Sequence, residues 1–157
     1  MIRFPLLDRM TALRVEVGKR LTSGAGNQYA DSMTLDRAQE SLQAAELCAR
    51  EGFINSAASR AYYAMFQAAQ VALQAAGFTG EEWSHAGLQA TFTSELIHRR
   101  KLYRAIFRDY LTVGLRLRNA ADYGDAGVSA KVTRRLLHRA TAFLSVVEKE
   151  TRHGSRP

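Results

Sequence analysis

Residues 54–76 read INSAASRAYYAMFQAAQVALQAA and contain neither proline nor glycine. Apolar side chains recur through this stretch at intervals of three and four residues, the spacing that gathers them on one face of an α-helix. Eight residues make up the predicted face: Ala57, Ala58, Ala61, Tyr62, Met65, Ala69, Leu73 and Ala76. Gly77 follows directly, and glycine commonly ends a helix. The stretch therefore predicts a long amphipathic helix that is buried along one broad side.

The same helical spacing continues on both sides of this stretch. Before it, the spacing predicts a helix that begins at the N-cap residue Thr34 and ends at Gly52. After it, three more helices are predicted over residues 85–98, 99–123 and 129–149, the last with Ser129 as its N-cap. The face expected to point inward from the 99–123 helix comprises Tyr103, Ile106, Phe107, Tyr110, Val113, Leu117 and Ala121. Because no segment has the period of two that a strand needs, we predict an all-α fold, an up-and-down bundle of four to five helices.

The composition sets the class of protein. The 157 residues are enough for one domain with a core, and 46% of them are hydrophobic. Residues 34–150 would form the bundle, residues 1–33 a helical extension with a flexible linker, and residues 151–157 a disordered tail. The single cysteine, Cys48, cannot form an intrachain disulfide, and no apolar run approaches the roughly 20 residues that cross a bilayer. Since charge also appears too early for a signal peptide, we expect a soluble, cytoplasmic protein that does not enter a membrane.

The formal charge is +7, and lysine supplies only four of the 22 basic residues. The planar guanidinium of arginine binds phosphate in a bidentate way and stacks on bases, so this bias favours a nucleic-acid or nucleotide partner. A basic surface that merely reflects arginine-rich codon use explains the composition equally well, because net charge speaks to association and not to mechanism. Whether the positive charge serves a nucleic-acid partner therefore depends on where the arginines lie.

The chain gathers most of its polar chemistry at residues 118–123, RNAADY, directly before the helix breaker GDAG at residues 124–127. A guanidinium, an amide, a carboxylate and a phenol lie within this one segment. Nothing elsewhere has the spacing of a phosphate loop, a zinc site or a serine nucleophile, so no metal or other cofactor is expected. The candidate catalytic residues are Arg118, Asn119, Asp122 and Tyr123.

Helix geometry limits what these four side chains can do together. Arg118 and Asp122 are four residues apart, which is also the spacing of a simple surface ion pair. Arg118 and Tyr123 lie about 140° apart around a continuous helix. We therefore expect the guanidinium and the phenol to meet only if the helix unwinds at Gly124 or if a second subunit contributes.

Two further polar stripes are candidates for binding. On the 54–76 helix, five polar residues recur at helical spacing, either as a solvated outer face or as a dimer seam or ligand wall: Arg60, Tyr63, Gln67, Gln70 and Gln74. On the 99–123 helix, six residues fall along one side and include a row of arginines: Arg104, Arg108, Leu111, Leu115, Arg118 and Asp122. We assign RNA or nucleotide binding to Arg60, Tyr63, Arg104 and Arg108, and a partner or dimer interface to Tyr63, Gln67, Gln70 and Gln74.

Three segments together resemble the HEPN family. They are SRAYYAMF at residues 59–66, the pair Ser84 and His85 followed by Phe92, and LRNAADY at residues 117–123. Their order and spacing match a small prokaryotic branch of that family over about residues 34–149. The resemblance implies a helical bundle that usually forms a homodimer. It also implies an RNA-binding, metal-independent ribonuclease, often a toxin paired with a minimal nucleotidyltransferase antitoxin.

The catalytic signature of the HEPN family is an arginine, a polar residue, and a histidine five to seven positions after the arginine. The resemblance places Arg118 and Asn119 in the first two roles, while Tyr123 stands where the shortest form of the motif has histidine. An imidazole exchanges protons near neutral pH, whereas an ordinary phenol titrates at about pH 10. Three functions therefore stay open: a toxin-type RNA-binding protein that cleaves RNA at Arg118, a non-catalytic module that binds a nucleotide or docks a protein, and a purely structural dimer.

Overall fold

A computed structural model of the chain describes residues 34–79 and 82–154. Five α-helices occupy these residues: α1 (Leu35–Arg50), α2 (Ile54–Ala75), α3 (His85–Thr91), α4 (Ile106–Tyr123) and α5 (Ala130–Gly154). A π-helical segment, Phe92–Arg99, continues directly from α3. The described residues contain no strand, so the predicted all-α bundle is confirmed. The predicted extension and linker at residues 1–33 lie outside the described residues.

Helix α2 is the centre of the bundle and packs against α1, α4 and α5. Seven of the eight residues predicted to face inward are fully buried, and Ala76 is partly buried just beyond the end of the helix. The many alanines of α2 let neighbouring helices approach closely. Larger side chains from the other helices and from the π-helical segment fill the core. These larger residues include Leu88, Phe92, Leu111, Leu136 and Phe143.

A close approach between helices lies where α4 crosses α2. A Cβ atom at Gly114 would come within 2.6 Å of Met65 Cε and 3.0 Å of Tyr62 Cδ2, so any larger residue would displace these side chains. Both Met65 and Tyr62 are fully buried. The crossing therefore fixes α4 against the middle of α2 without a spacer side chain.

Helix α4 begins later than the sequence predicts. It begins at Ile106 and not in the basic run at residues 99–101, because the chain turns at Lys101, which has a positive φ of 54°. The amide N–H of Tyr103 donates to the carbonyl oxygen of Leu96 at 3.3 Å, so the chain folds back over the end of the π-helical segment. The buried Tyr103 therefore belongs to this connection and not to a helix.

The inward face of α4 also differs from the prediction. Its buried residues are Phe107, Leu111 and Gly114, whereas Ile106, a member of the predicted face, is 41% exposed. Leu111, which the sequence places on the same side of the helix as Arg108, is fully buried, whereas Arg108 is exposed. The prediction is wrong in phase because Gly114, the residue that meets the core, has no side chain to contribute to a hydrophobic pattern.

Helix α5 begins at the predicted cap and ends later than predicted. The amide N–H of Val132 donates to Ser129 Oγ at 3.3 Å, which confirms Ser129 as the N-cap. The helix continues to Gly154, since nothing before this glycine breaks it. Residues 151–154 are therefore helical, contrary to the predicted disordered tail, and residues 155–157 lie outside the described part.

The loop between α4 and α5 is tied to the start of α2. The amide N–H of Val128 donates to Asn55 Oδ1 at 2.9 Å. Gly127 has a positive φ of 63°, and a Cβ atom there would lie only 2.6 Å from the same oxygen. Glycine meets both demands, the left-handed backbone and the close approach. This contact holds the end of α4 beside the first half of α2 and so brings residues 118–123 to residues 59–66.

Candidate functional site

Arg118 lies at the centre of a cluster of polar side chains from α4 and α2. Its Nη2 donates to the phenol oxygen of Tyr63 at 3.0 Å and to that of Tyr123 at 3.4 Å. Its Nη1 donates to Asn119 Oδ1 at 3.2 Å, and its Nε lies 2.8 Å from Asp122 Oδ2. The Arg118 side chain is only 14% exposed. One guanidinium therefore contacts all the other candidate catalytic residues and one residue of the predicted binding stripe.

The contact between Arg118 and Tyr123 corrects the expectation drawn from helix geometry. Helix α4 is continuous through Tyr123, and Gly124 follows it in an extended conformation. The two side chains nevertheless meet within one subunit, because the long arginine stem carries the guanidinium around the helix surface to the phenol. Neither unwinding at Gly124 nor a second subunit is needed to bring them together.

Two phenol rings flank the guanidinium of Arg118. Its Cζ lies 5.5 Å from the centre of the Tyr63 ring and 5.2 Å from the centre of the Tyr123 ring, both within cation–π range. The exposed Arg60 also approaches the Tyr63 ring, with its Cζ 5.9 Å from the centre. The cluster therefore places two guanidinium groups around one shared aromatic ring.

The surroundings of Arg118 stabilise its charged form. Burial opposes the charged form, but the interactions with Tyr63, Tyr123 and Asp122 outweigh burial and raise the pKa of Arg118. The Nε–H group is not aligned for a hydrogen bond, so its contact with Asp122 is an ion pair alone. Ser59 Oγ donates to the same Oδ2 of Asp122 at 3.1 Å. The predicted ion pair is therefore present, and a residue of α2 helps to position its carboxylate.

Next to Tyr63, His85 and Tyr62 form a polar pair that is not among the site residues predicted from the sequence. The Tyr62 phenol oxygen lies 2.7 Å from His85 Nδ1. The imidazole packs against the rings of Phe66 and Tyr63, with centres 4.8 Å and 6.5 Å away. The one signal in the sequence is that the histidine directly follows Ser84 within the family resemblance.

Burial decides the protonation of this pair. It raises the pKa of Tyr62 to about 12, and burial followed by the charge of Arg118 lowers the pKa of His85. Near neutral pH the phenol keeps its proton and the imidazole is uncharged. Tyr62 and Nδ1 of His85 therefore share a hydrogen bond between two neutral groups, whose donor is set by the tautomer of the imidazole. A neutral imidazole adds no repulsion to the guanidinium of Arg118.

Two of the arginines predicted to bind RNA lie away from this cluster. Arg108 forms an exposed ion pair with Asp109 at 3.0 Å and lies about 15 Å along the helix axis from Arg118. Arg104 precedes the helix and is exposed. The structure does not bring either residue to Arg118, and their part in RNA binding stays a prediction.

The glutamine side chains of α2 are partly buried in the bundle. Gln67 Oε1 accepts a hydrogen bond from Ser41 Oγ of α1 at 2.7 Å, so this side chain is engaged within the subunit. Gln70 Oε1 is buried without a hydrogen-bond partner among the described residues, and Gln74 is half-buried. The interface predicted for Tyr63 and these glutamines stays a prediction.

Across residues 34–79 and 82–154, no three His, Cys, Asp or Glu side chains group closely enough to hold a metal ion. None of the helices in this part of the chain combines the length and the apolar character that crossing a membrane requires.

Known proteins resemble this chain over the same region. A UPF0332 protein of Gloeobacter violaceus is 38% identical over 92 residues, which cover 59% of this chain and 71% of that protein. A Methanocaldococcus jannaschii protein named "Putative toxin" is 30% identical over 117 residues, or 73% of this chain and 77% of that protein. A UPF0332 protein of Thermotoga maritima is 28% identical over 114 residues, or 72% and 84% of the two chains. A family model described as the HEPN domain matches residues 32–150, and the chain therefore belongs to the HEPN domain family.

Proposed function

We propose that this protein is a toxin-type RNA-binding protein that cleaves RNA without a metal ion, with the scissile phosphate bound at Arg118. The observation that carries the proposal is the restrained guanidinium, which is 14% exposed and contacts Tyr63, Asn119, Asp122 and Tyr123. A guanidinium held by several neighbours is oriented before a ligand binds, and preorganised charge stabilises a phosphate transition state. The name of the M. jannaschii relative supports a toxin role.

The neighbours of Arg118 are themselves arranged to donate to an anion. The phenol oxygens of Tyr63 and Tyr123 accept from Nη2, so the phenol protons are directed away from the guanidinium. Asn119 accepts through Oδ1, which leaves both Nδ2 protons for another acceptor. The exposed Arg60 adds a second cation beside Tyr63. A phosphate at this cluster would meet N–H and O–H donors from two helices.

The proposed reaction is an internal transesterification. The ribose 2′ oxygen bonds to the adjacent phosphorus while the bond from phosphorus to the 5′ oxygen breaks, which yields a 2′,3′-cyclic phosphate and a 5′-hydroxyl. Asp122 Oδ1, which forms no hydrogen bond or ion pair among the described residues, would take the 2′ proton, and Tyr123 would give its proton to the leaving oxygen. Water would then return the proton from Asp122 to Tyr123. Arg118 and Asn119 would hold the phosphorus-bound oxygens as their charge grows.

The proposal includes two protein partners, a nucleotidyltransferase-type antitoxin and a second copy of this chain. Membership of the HEPN domain family supports both. Tyr123 is 74% exposed, so a partner seated on its ring would also cover Arg118 and shut RNA out. Co-purification with such an enzyme and analytical ultracentrifugation of the purified chain would test the two partners separately.

The test of the reaction is cleavage of end-labelled RNA by the purified protein in excess EDTA. We expect cyclic phosphate ends from the wild type and a rate about 100-fold lower from Arg118→Ala, the scale seen when a preorganised donor is lost. Arg116→Ala is the matched control, because it removes an exposed arginine from the same helix. Equal rates for wild type and Arg118→Ala, or no cleavage by either, would refute the proposed reaction.

A further inference from the structure

Helix α5 carries a second concentration of positive charge, outside the Arg118 cluster. We call it the basic ridge, and its four exposed residues are Lys131, Arg134, Arg135 and His138. At about 100° per residue, the four side chains fall within roughly 100° of the helix circumference. They lie on the side away from the buried Leu136 and Phe143. The ridge therefore faces solvent over a length of about 10 Å.

The basic ridge forms no ion pair with an acidic side chain in the part of the chain that the structure describes. Residues 130–147 of α5 contain no aspartate or glutamate. Among residues 34–79 and 82–154, none of the ion pairs includes a ridge residue. The ion pair within α5, between Glu148 and Arg152, lies at the far end of the helix.

This arrangement of charge works against the stability of the helix. Lys131 lies three residues before Arg134 and four before Arg135, so like charges are neighbours on the helix surface. Lys131 also lies in the first turn of α5, where the helix dipole favours negative charge. Positive charge kept against both effects indicates that the ridge serves a ligand of opposite charge.

The basic ridge begins at the end of the bundle that holds the Arg118 cluster. Helices α4 and α5 run antiparallel, since a Cβ atom at Gly114 would lie 3.6 Å from Leu136 Cδ1 while Arg139 Cζ lies 5.5 Å from the centre of the Tyr110 ring. Tyr110 lies four residues before Gly114 on α4, and its partner Arg139 lies three residues after Leu136 on α5. The same register sets Arg118 level with the first turn of α5, where the ridge starts.

We propose that the basic ridge binds the sugar–phosphate backbone of RNA beyond the phosphate held at Arg118. One strand of a stacked nucleic acid presents about three phosphates over the 10 Å of the ridge. Contacts to phosphates add affinity without reading sequence, so the ridge would hold any RNA segment that reaches the cluster. The identity of the polyanion as RNA rests on the proposed function, whereas the uncompensated charge does not.

The test compares two matched double variants in their binding to RNA that cannot be cleaved because its 2′ oxygens are methylated. Arg134→Ala with Arg135→Ala removes two charges from the ridge, and Arg37→Ala with Arg50→Ala removes two exposed arginines from α1. Fluorescence anisotropy gives the dissociation constant at several salt concentrations. We expect the ridge variant to bind about ten-fold more weakly at about 0.1 M salt, and its salt slope to fall by about 1.4. The α1 variant should match the wild type.

Equal binding by the ridge variant, the α1 variant and the wild type would overturn the proposal. Unchanged RNA affinity together with the loss of a protein partner would overturn it as well, in favour of a protein interface. Because the methylated RNA is not cleaved, the ridge is measured independently of the reaction at Arg118. Thermal unfolding supplies a second readout, since relief of repulsion should leave the ridge variant at least as stable as the wild type. A clearly lower midpoint would contradict the reasoning from charge.

Discussion

Arg118 and Tyr63 are 55 residues apart in the chain, yet Nη2 of the arginine lies 3.0 Å from the phenol oxygen of the tyrosine. This hydrogen bond joins SRAYYAMF on α2 to RNAADY on α4, two of the segments that carry the family resemblance. It depends on the close helix crossing at Gly114 and on the loop that Asn55 holds. The packing of the bundle and the geometry of the polar cluster are therefore one arrangement.

Tyr63→Phe tests this hydrogen bond while keeping the aromatic ring. The substitution removes the nearer of the two acceptors of Arg118 Nη2 and leaves the cation–π contact at 5.5 Å in place. We expect the free energy of unfolding, measured by urea denaturation, to fall by about 1 kcal/mol. The rate of RNA cleavage should fall on the order of ten-fold, because the guanidinium loses one of its restraints.

Tyr110→Phe is the matched control for this change. Tyr110 is a half-buried tyrosine of α4 whose ring contacts Arg139, and its hydroxyl makes no hydrogen bond among the described residues. Its loss should alter neither stability nor cleavage. If Tyr63→Phe cleaved RNA as fast as the wild type, the phenol of Tyr63 would have no part in orienting the guanidinium.

Arg118→Lys separates the shape of the guanidinium from its charge. A lysine ammonium presents its donors on a single nitrogen and cannot reach Tyr63, Asn119 and Asp122 at the same time. We expect cleavage about as slow as in Arg118→Ala, roughly 100-fold below the wild type. Binding of methylated RNA should change by only a few-fold, since the charge is kept. A lysine variant with most of the wild-type rate would show that charge suffices, and Arg116→Lys controls for the change elsewhere on α4.

The helices were predictable wherever a broad apolar side and a glycine end coincide. For α2 the predicted end is within one residue of the observed one, and Gly77 has the positive φ expected after a helix. The start of α4 was not predictable, because residues 99–105 fit the helical period while the turn at Lys101 is set by packing against the preceding segment. Local backbone contacts overrode the pattern.

The members of the site on α4 were predictable from sequence, but the way in which they meet was not. An angular position on a helix fixes where a side chain starts, and the length of Arg118 lets it end beside Tyr123. His85 was not predictable for a different reason. Its place depends on Tyr62, and only the fold brings that phenol within 2.7 Å of the imidazole.

Gly114→Ala tests the helix crossing that supports the cluster. A methyl group there would lie 2.6 Å from Met65 Cε and 3.0 Å from Tyr62 Cδ2, both in buried side chains. We expect the free energy of unfolding to fall by about 1–3 kcal/mol, the usual cost of overpacking. In a Met65→Ala background the same change should lower the free energy of unfolding by less, or even raise it, since alanine favours a helix over glycine by about 1 kcal/mol. If urea denaturation showed the same decrease in the free energy of unfolding in both backgrounds, this contact would not be its cause.

The lowered pKa of His85 makes the stability of the fold depend on pH in a defined direction. An unfolded histidine takes up a proton at about pH 6.5, before the folded imidazole does. Between these two values the unfolded state binds more protons, so stability rises with pH and is lost as the pH falls. The contribution is present above about pH 6.5 and decreases until the folded group is protonated as well.

His85→Gln should flatten this pH dependence, because a side-chain amide can still share a hydrogen bond with Tyr62 but does not titrate in this range. Thermal midpoints measured at intervals from about pH 7.5 to pH 5 would show a smaller fall for the variant than for the wild type. His98→Gln is the matched control, because it makes the same change at an exposed histidine outside the Arg118 cluster and the basic ridge. Parallel curves for wild type and His85→Gln would place the pH sensitivity elsewhere in the chain.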